Sequence, residues 1–302
     1  MKIENHIKTE ALSADKQSYS VPKQFDRNAR LFGSEPLRKL NDSHVMIIGL
    51  GGVGSFATEA IARSGVGRLT LIDFDEVCIT NVNRQLHAMS STIGCSKAQL
   101  MAERARLINP QARVDHLHIF FDKSTAGEIL AEKPDLIIDC IDNVTAKLYL
   151  LATCIFREIP VVTSLGASGR VDPSQVRYSE LRKTKNDPLA KAIRKNLWQH
   201  HKINLKRVSN LIGVFSEEPL ILPDPDYKSS LCGEECVCPN SLNTHHTCSK
   251  RNVIWGSAVF VTSTFGMVAA SLAIRYLTGD KTISLKPVLK VLPDDDEPII
   301  PV

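Results

Sequence analysis

Between Val45 and Asp75 the chain reads VMIIGLGGVGSFATEAIARSGVGRLTLIDFD, and the spacing of its glycines and closing acids suits the binding of a nucleotide. Gly49, Gly51 and Gly54 have the G-x-G-x-x-G spacing, with Gly52 among them. Positions without a Cβ allow a tight turn and let backbone N–H groups approach a phosphate at a helix N-terminus. Asp73 lies nineteen residues beyond Gly54, where a carboxylate can accept hydrogen bonds from ribose hydroxyls. On this unit alone the ligand could be NAD, FAD or ATP.

The residues that follow separate these choices. The stretch DFDEVCITNVNRQLHAMSSTIGCSKAQLMAERARLINP is too rich in Asn, Arg and Ser to be a plain crossover to a third strand, and hydride transfer has no use for such a cluster. Asn81, Asn83 and Gln85 offer amide donors, and Arg84 offers a guanidinium suited to bidentate phosphate contact. Ser96 and Gln99 form an S-x-x-Q capping box, which places Lys97 in the first turn of a helix, directed back toward the nucleotide. Asp142, in LIIDCIDN, could hold Mg²⁺, which takes one or two carboxylates together with phosphate oxygens. Asp75 and Asp139 read as structural. Two cations, a metal ligand and a glycine cradle describe a triphosphate site; an NAD-dependent oxidoreductase accounts only for the glycines and Asp73.

The elements that must position these residues are strands near Val45, Leu69, Val114, Leu136 and Val161, alternating with helices. The helix after Ser96 carries Ala98, Met101, Ala102, Ala105 and Ile108 on one face. The expected fold is α/β: a doubly wound, Rossmann-like, mostly parallel sheet extended by antiparallel strands, with a C-terminal helix. Residues 1–24 read as a disordered segment, 25–165 as the nucleotide-binding half and 166–278 as a substrate and dimer half of one domain, with 279–302 as a tail. In the second half, Gly169 to Glu180 reads as extended, and Asp187 followed by Pro188 starts a helix over Leu189 to His200. Lys206 to Phe215 reads as a returning strand and 218–252 as a long irregular loop.

The net charge of +4 hides an asymmetry. From residue 182 to 207 there are nine Lys and Arg (Arg182, Lys183, Lys185, Lys191, Arg194, Lys195, Lys202, Lys206 and Arg207) against one acid, Asp187. Such a run is either a solvated helix face or the footprint of a polyanion. No apolar run follows the first lysine as in a secretory leader, and Glu4, Glu10 and Asp15 argue against a mitochondrial one, so the cytoplasm is expected. Val253 to Ile274 contains no charge, but its Gly, Ser and Thr content suits a helix packed within the protein or at a dimer interface better than a membrane span.

Eight cysteines without a secretory leader point to reduced thiols. Cys78, Cys95, Cys140 and Cys154 sit in or beside expected core elements. Cys232, Cys236, Cys238 and Cys248 cluster with His245 and His246 in C-x3-C-x-C-x9-C spacing, unlike the paired C-x-x-C of a structural zinc site. Both a Zn²⁺ site and an unliganded, redox-sensitive loop stay open.

GLGGVGS, DFD, NVNRQ, Lys97 and DCIDN, in that order, resemble the ubiquitin-activating-enzyme-like superfamily with its ThiF- and MoeB-type adenylyltransferases. The stretches FDRNARLFG, VCITNVNRQLHA, KAQLMAERARLINP, VDPSQVRYSEL, NDPLAKAIRK, VFSEEP and VTSTFG are similar to its tRNA threonylcarbamoyladenosine dehydratase family, over roughly Phe25 to Thr278. That resemblance implies ATP and Mg²⁺, a tRNA substrate contacted by the basic segment, and adenylation of a threonylcarbamoyl carboxylate that then closes into a ring with loss of AMP. It also implies a homodimer, since Arg30 falls where the family places an arginine that reaches the neighbouring subunit's ATP. A cysteine desulfurase or other sulfur-acceptor partner belongs to the same range of expectations. The alternative within the superfamily is activation of the C-terminal Gly-Gly of a ubiquitin-like sulfur carrier. Neither an appended rhodanese domain nor a cysteine between Leu165 and Cys232 supports that route.

Overall fold

The structure, a computed structural model, describes residues 19–227 and 254–290. Cys232, Cys236, Cys238, Cys248, His245 and His246 lie outside the described residues, as do 1–18 and 291–302. Helices α1 (Asp26–Phe32) and α2 (Ser34–Asn41) lead into β1 (His44–Ile48), α3 (Gly54–Arg63), β2 (Arg68–Ile72), α4 (Lys97–Ile108) and β3 (Arg113–Leu117). Then come α5 (Ala126–Leu130), β4 (Leu136–Asp139), α6 (Val144–Phe156), β5 (Val161–Ser164), β6 (Val176–Glu180) and α7 (Pro188–His201). The chain continues through β7 (Val208–Ser209), β8 (Ile212–Ser216), α8 (Val259–Thr278) and β9 (Val288–Leu289).

The main sheet has the order β3-β2-β1-β4-β5-β8-β6. Alternation along β1 explains the layering, because successive side chains of a strand point to opposite faces. Val45 and Ile47 join a core with Ile61 of α3, Met101 of α4 and Phe265 of α8. Met46 and Ile48 join a second core on the other face with Leu150 of α6 and Ile193 and Leu197 of α7. The chain leaves β1 toward β2 on one side and later returns to β4 on the other. The crevice between them, at the carboxyl ends of the strands, is where an open α/β sheet takes its ligand.

The second half differs in detail from the sequence expectation. Among the described strands of the main sheet only β6 runs antiparallel; β8 lies parallel to β5 and antiparallel to β6. The returning strand expected over Lys206 to Phe215 is broken at Asn210, whose positive φ of 62° cannot continue a strand. Val208 and Ser209 instead pair with Val288 and Leu289 in a separate two-stranded sheet. The first part of the 279–302 tail is therefore folded onto the domain, with Leu285 fully buried and its carbonyl accepting from Val161 N–H.

Helix α8 is long and apolar enough to cross a bilayer by length and composition, yet half of its most apolar stretch is buried within the protein. Its small residues explain the fit. A Cβ on Gly266 would lie 2.4 Å from the Val53 carbonyl oxygen and 2.9 Å from Ala57 N, so glycine lets α8 lie directly on α3.

Candidate active site

The glycine turn leaves β1 at Gly49, whose φ of +88° suits glycine. Gly54 begins α3 so close to the turn that a Cβ there would meet the Gly49 carbonyl oxygen at 1.8 Å. Asp73, just past β2, ties this loop down: its Oδ2 accepts Leu50 N–H at 2.6 Å and its Oδ1 accepts Asp75 N–H at 2.8 Å. Gln85 approaches from above, and a methyl built on Gly51 would lie 3.7 Å from its Nε2. Thr262 of α8 backs the turn on the other side, against Gly52.

Lys97 is the first residue of α4 and is buried, with its Nζ 2.8 Å from Asp75 Oδ2. Burial alone lowers its pKa; the carboxylates of Asp73, Asp75 and Asp142 more than reverse this, and the ammonium is held charged above its ordinary range. Burial pushes the Asp73 carboxyl up, opposed by Lys97 and by the two N–H donors it accepts. Ser96 caps α4 by accepting Gln99 N–H, but the reciprocal half of the box is absent: the Gln99 amide donates to Glu103.

Asp142 stands exposed in the turn between β4 and α6, next to Asn143, which caps α6 through Ala146 N–H. Asp139 anchors that turn from below. Its Oδ1 accepts Ile141 N–H, and its Oδ2 takes Lys147 Nζ and Thr163 Oγ1, each at 2.6 Å, with both members of the ion pair fully buried.

The segment between β2 and α4 covers the crevice. Asn81 is buried and accepts Cys78 N–H with its side-chain oxygen, and the Arg84 guanidinium donates to Thr80 O and Asn83 Oδ1. The exposed Asn83 reaches Ser257 O, ahead of α8. Gln85 Oε1 and both ring nitrogens of His87 are buried without a hydrogen-bond partner. Burial, aided by the Lys97 charge, depresses the His87 pKa to about 3 and keeps the ring neutral.

The structure thus brings Gly49, Gly51, Gly52, Gly54, Asp73, Gln85, Lys97 and Asp142 to one crevice, with Asn81 and Arg84 on the segment above it. Arg30 does not join them by any described contact; it is exposed on α1 and paired with Asp26 on its own helix. Two residues outside the sequence-derived set lie against Lys97 in the structure, Asp75 by an ion pair and His87 as a buried ring that feels its charge. Asp75, read as structural, is the partner of Lys97, and the signal was available: Asp73 and Asp75 are two apart in extended chain and share a side. His87 carried no sequence signal, since only the fold shows that its ring is buried.

Among the described residues no three His, Cys, Asp or Glu side chains are grouped to hold a metal. A single exposed carboxylate, Asp142, that acts on Lys97 is the donor set magnesium uses when phosphate oxygens supply the other ligands, so the residues fit Mg²⁺ bound with a nucleotide. Cys78 and Cys154 are buried, Cys140 is half-buried with its thiol pushed up to about 12 by burial, and Cys95 is exposed.

The basic segment divides. Arg182 and Lys183 both pair with Glu180, just upstream of the run. Arg194 turns inward and donates to the carbonyls of Leu181 and Thr184 and to Thr184 Oγ1, closing the turn before α7. Lys185, Lys191 and Lys195 are exposed.

Residues 25–293 match the ThiF family model. The chain is 39% identical over 254 residues to tRNA threonylcarbamoyladenosine dehydratase of Escherichia coli K12, covering 83% of this chain and 92% of that protein. It is 41% identical over 212 residues to the protein of the same name from Bacillus subtilis 168, covering 70% and 82%. The crystal structure of the Escherichia coli enzyme, TcdA, in complex with ATP superposes with a TM-score of 0.72 at 36% identity, over 84% of this chain and 93% of that one.

Proposed function

This chain belongs to the ThiF family, and from that premise we propose that it is an ATP-dependent, AMP-forming enzyme that cyclises the threonylcarbamoyl group on an adenosine of tRNA. The observation that carries the reading is the buried Lys97, held charged among Asp75, Asp73 and Asp142 beside the glycine turn. An ammonium so placed meets the charge that develops when a carboxylate oxygen attacks the α-phosphorus of ATP and pyrophosphate leaves.

The roles follow from position. N–H groups of the turn at Gly49, Gly51, Gly52 and Gly54 cradle phosphate oxygens; Asp73, whose oxygens each keep a lone pair, accepts from ribose; Asn81, Arg84, Gln85 and Lys97 meet the phosphates. Asp142 would hold Mg²⁺, which would supply positive charge beside the phosphate oxygens. Arg30, exposed on α1, reaches the crevice of a second copy in a homodimer. In the second half-reaction a nucleophile of the carbamoyl group attacks the acyl carbon, AMP leaves with the bridging oxygen, and a proton is released. The two steps together remove the elements of water from the substrate, and they need no catalytic thiol. A tRNA substrate supports a cytoplasmic location.

The test is ATP–pyrophosphate exchange with threonylcarbamoyl-modified tRNA, beside a carrier protein ending in Gly-Gly. The modified tRNA should stimulate exchange and yield a cyclic nucleoside with one AMP released per turnover. Stimulation by the Gly-Gly carrier alone would instead establish the sulfur-carrier route.

A further inference from the structure

The outer face of α7 combines charge with an exposed aromatic ring in one line. With 3.6 residues per turn, Lys191, Lys195 and Trp198 fall within an arc of roughly 60°, and Lys202 follows them as the left-handed residue that ends the helix. All four are exposed, and Trp198 is 55% so. Ala190, Ile193 and Leu197 occupy the opposite side, buried against α6. The helix contains no acid, and among the described residues no carboxylate pairs with any of the three lysines. Pairing with Glu180 and the inward turn of Arg194 remove their neighbours from the free charge, so this stripe holds much of what the basic run leaves unpaired.

A large ring between lysines, at half exposure and with no apolar neighbour on its own face, is poor material for a protein interface or a membrane. An interfacial helix turns a broad apolar face to the lipid, and here that face is already spent on α6. Nucleic acid suits it: lysines one and two turns apart track a phosphate backbone, and an indole stacks on an unpaired base whatever its identity.

Resting on the function proposed above, we infer that the α7 stripe of Lys191, Lys195, Trp198 and Lys202 docks the tRNA, with Trp198 stacking on an unpaired nucleotide and the lysines on the flanking phosphates. Single-stranded loop nucleotides are the part of a folded RNA that offers such bases.

Binding of modified tRNA to the full-length protein, by fluorescence anisotropy across a salt series, tests this. Trp198→Ala should weaken binding about 10-fold or more without altering the salt slope, and Trp198→Phe should restore most of the affinity. Lys191→Ala/Lys195→Ala/Lys202→Ala should reduce the slope of log affinity against log salt by about 2 to 3. Thermal melting of each variant should match the parent, since the four side chains face solvent. Wild-type affinity and slope in both sets would overturn the inference, as would an equal loss of binding to phosphatidylserine vesicles, which would make the stripe a lipid surface. A parent protein that binds tRNA through this stripe but forms no cyclic nucleoside would refute the proposed reaction and leave the docking surface standing.

Discussion

Lys97 Nζ sits 2.8 Å from Asp75 Oδ2, the lysine side chain 6% exposed and the acid 40% exposed. Without nucleotide the acid satisfies the ammonium and keeps it extended toward the crevice. Lys97→Ala should lower ATP–pyrophosphate exchange by about 100- to 1000-fold, the usual effect of removing one charge-stabilising donor. Near-normal exchange in that variant would reject the adenylation mechanism.

The glycine turn separates structural from ligand-facing positions. Gly54→Ala drives a methyl into the Gly49 carbonyl and should prevent accumulation of folded protein. Gly51→Ala has Gln85 Nε2 as its nearest neighbour at 3.7 Å, so it should melt as the parent does while binding ATP more weakly. Calorimetric titration alongside thermal melting measures both, and a Gly51→Ala protein with parental ATP affinity would move the phosphates elsewhere.

Asp139 and Lys147 form an ion pair with no exposure on either side. Lys147→Met strands a buried carboxylate and should cost about 3–5 kcal/mol, readable as a loss in urea midpoint. The double variant Asp139→Asn/Lys147→Met should recover much of that loss, because no uncompensated charge remains. Additive losses in the cycle would show that the two groups do not interact.

His87 gives an acid-sensitive term. Its folded pKa, about 3, is lower than the usual histidine value of 6.5, because of burial and then the Lys97 charge. The unfolded chain therefore binds the extra proton first as pH falls. The stability that depends on a neutral ring is fully present above about pH 6.5 and declines toward pH 3, at up to about 1.4 kcal/mol per pH unit. His87→Phe should flatten the stability profile between pH 6.5 and 4.5 in urea titrations; an unchanged slope would assign the acid limb to other groups.

Much of this site was legible before the fold was seen, because its parts are local. The glycine turn, Asp73, and Lys97 behind its Ser96 cap each announce themselves within a few residues. What stayed hidden depends on distant chain segments. The roles of Asp75 and Asp139 as ion-pair partners require α4 and α6 to fold back over their strands, and the halves of the basic run separate only once Glu180 and the turn at Leu181 to Thr184 are in place. The broken strand at Asn210 rests on one left-handed residue, which a β-type pattern cannot reveal.

Gly266 and Thr262 press α8 directly onto the backbone of the residues that open α3, so the last long helix of the chain is the anvil on which the phosphate loop is shaped. A side chain larger than hydrogen at 266 would be felt first as a loss of ATP affinity, some two hundred residues downstream of the motif it disturbs. Removing α8 would strip the turn of the surface that Thr262 and Gly266 press against it.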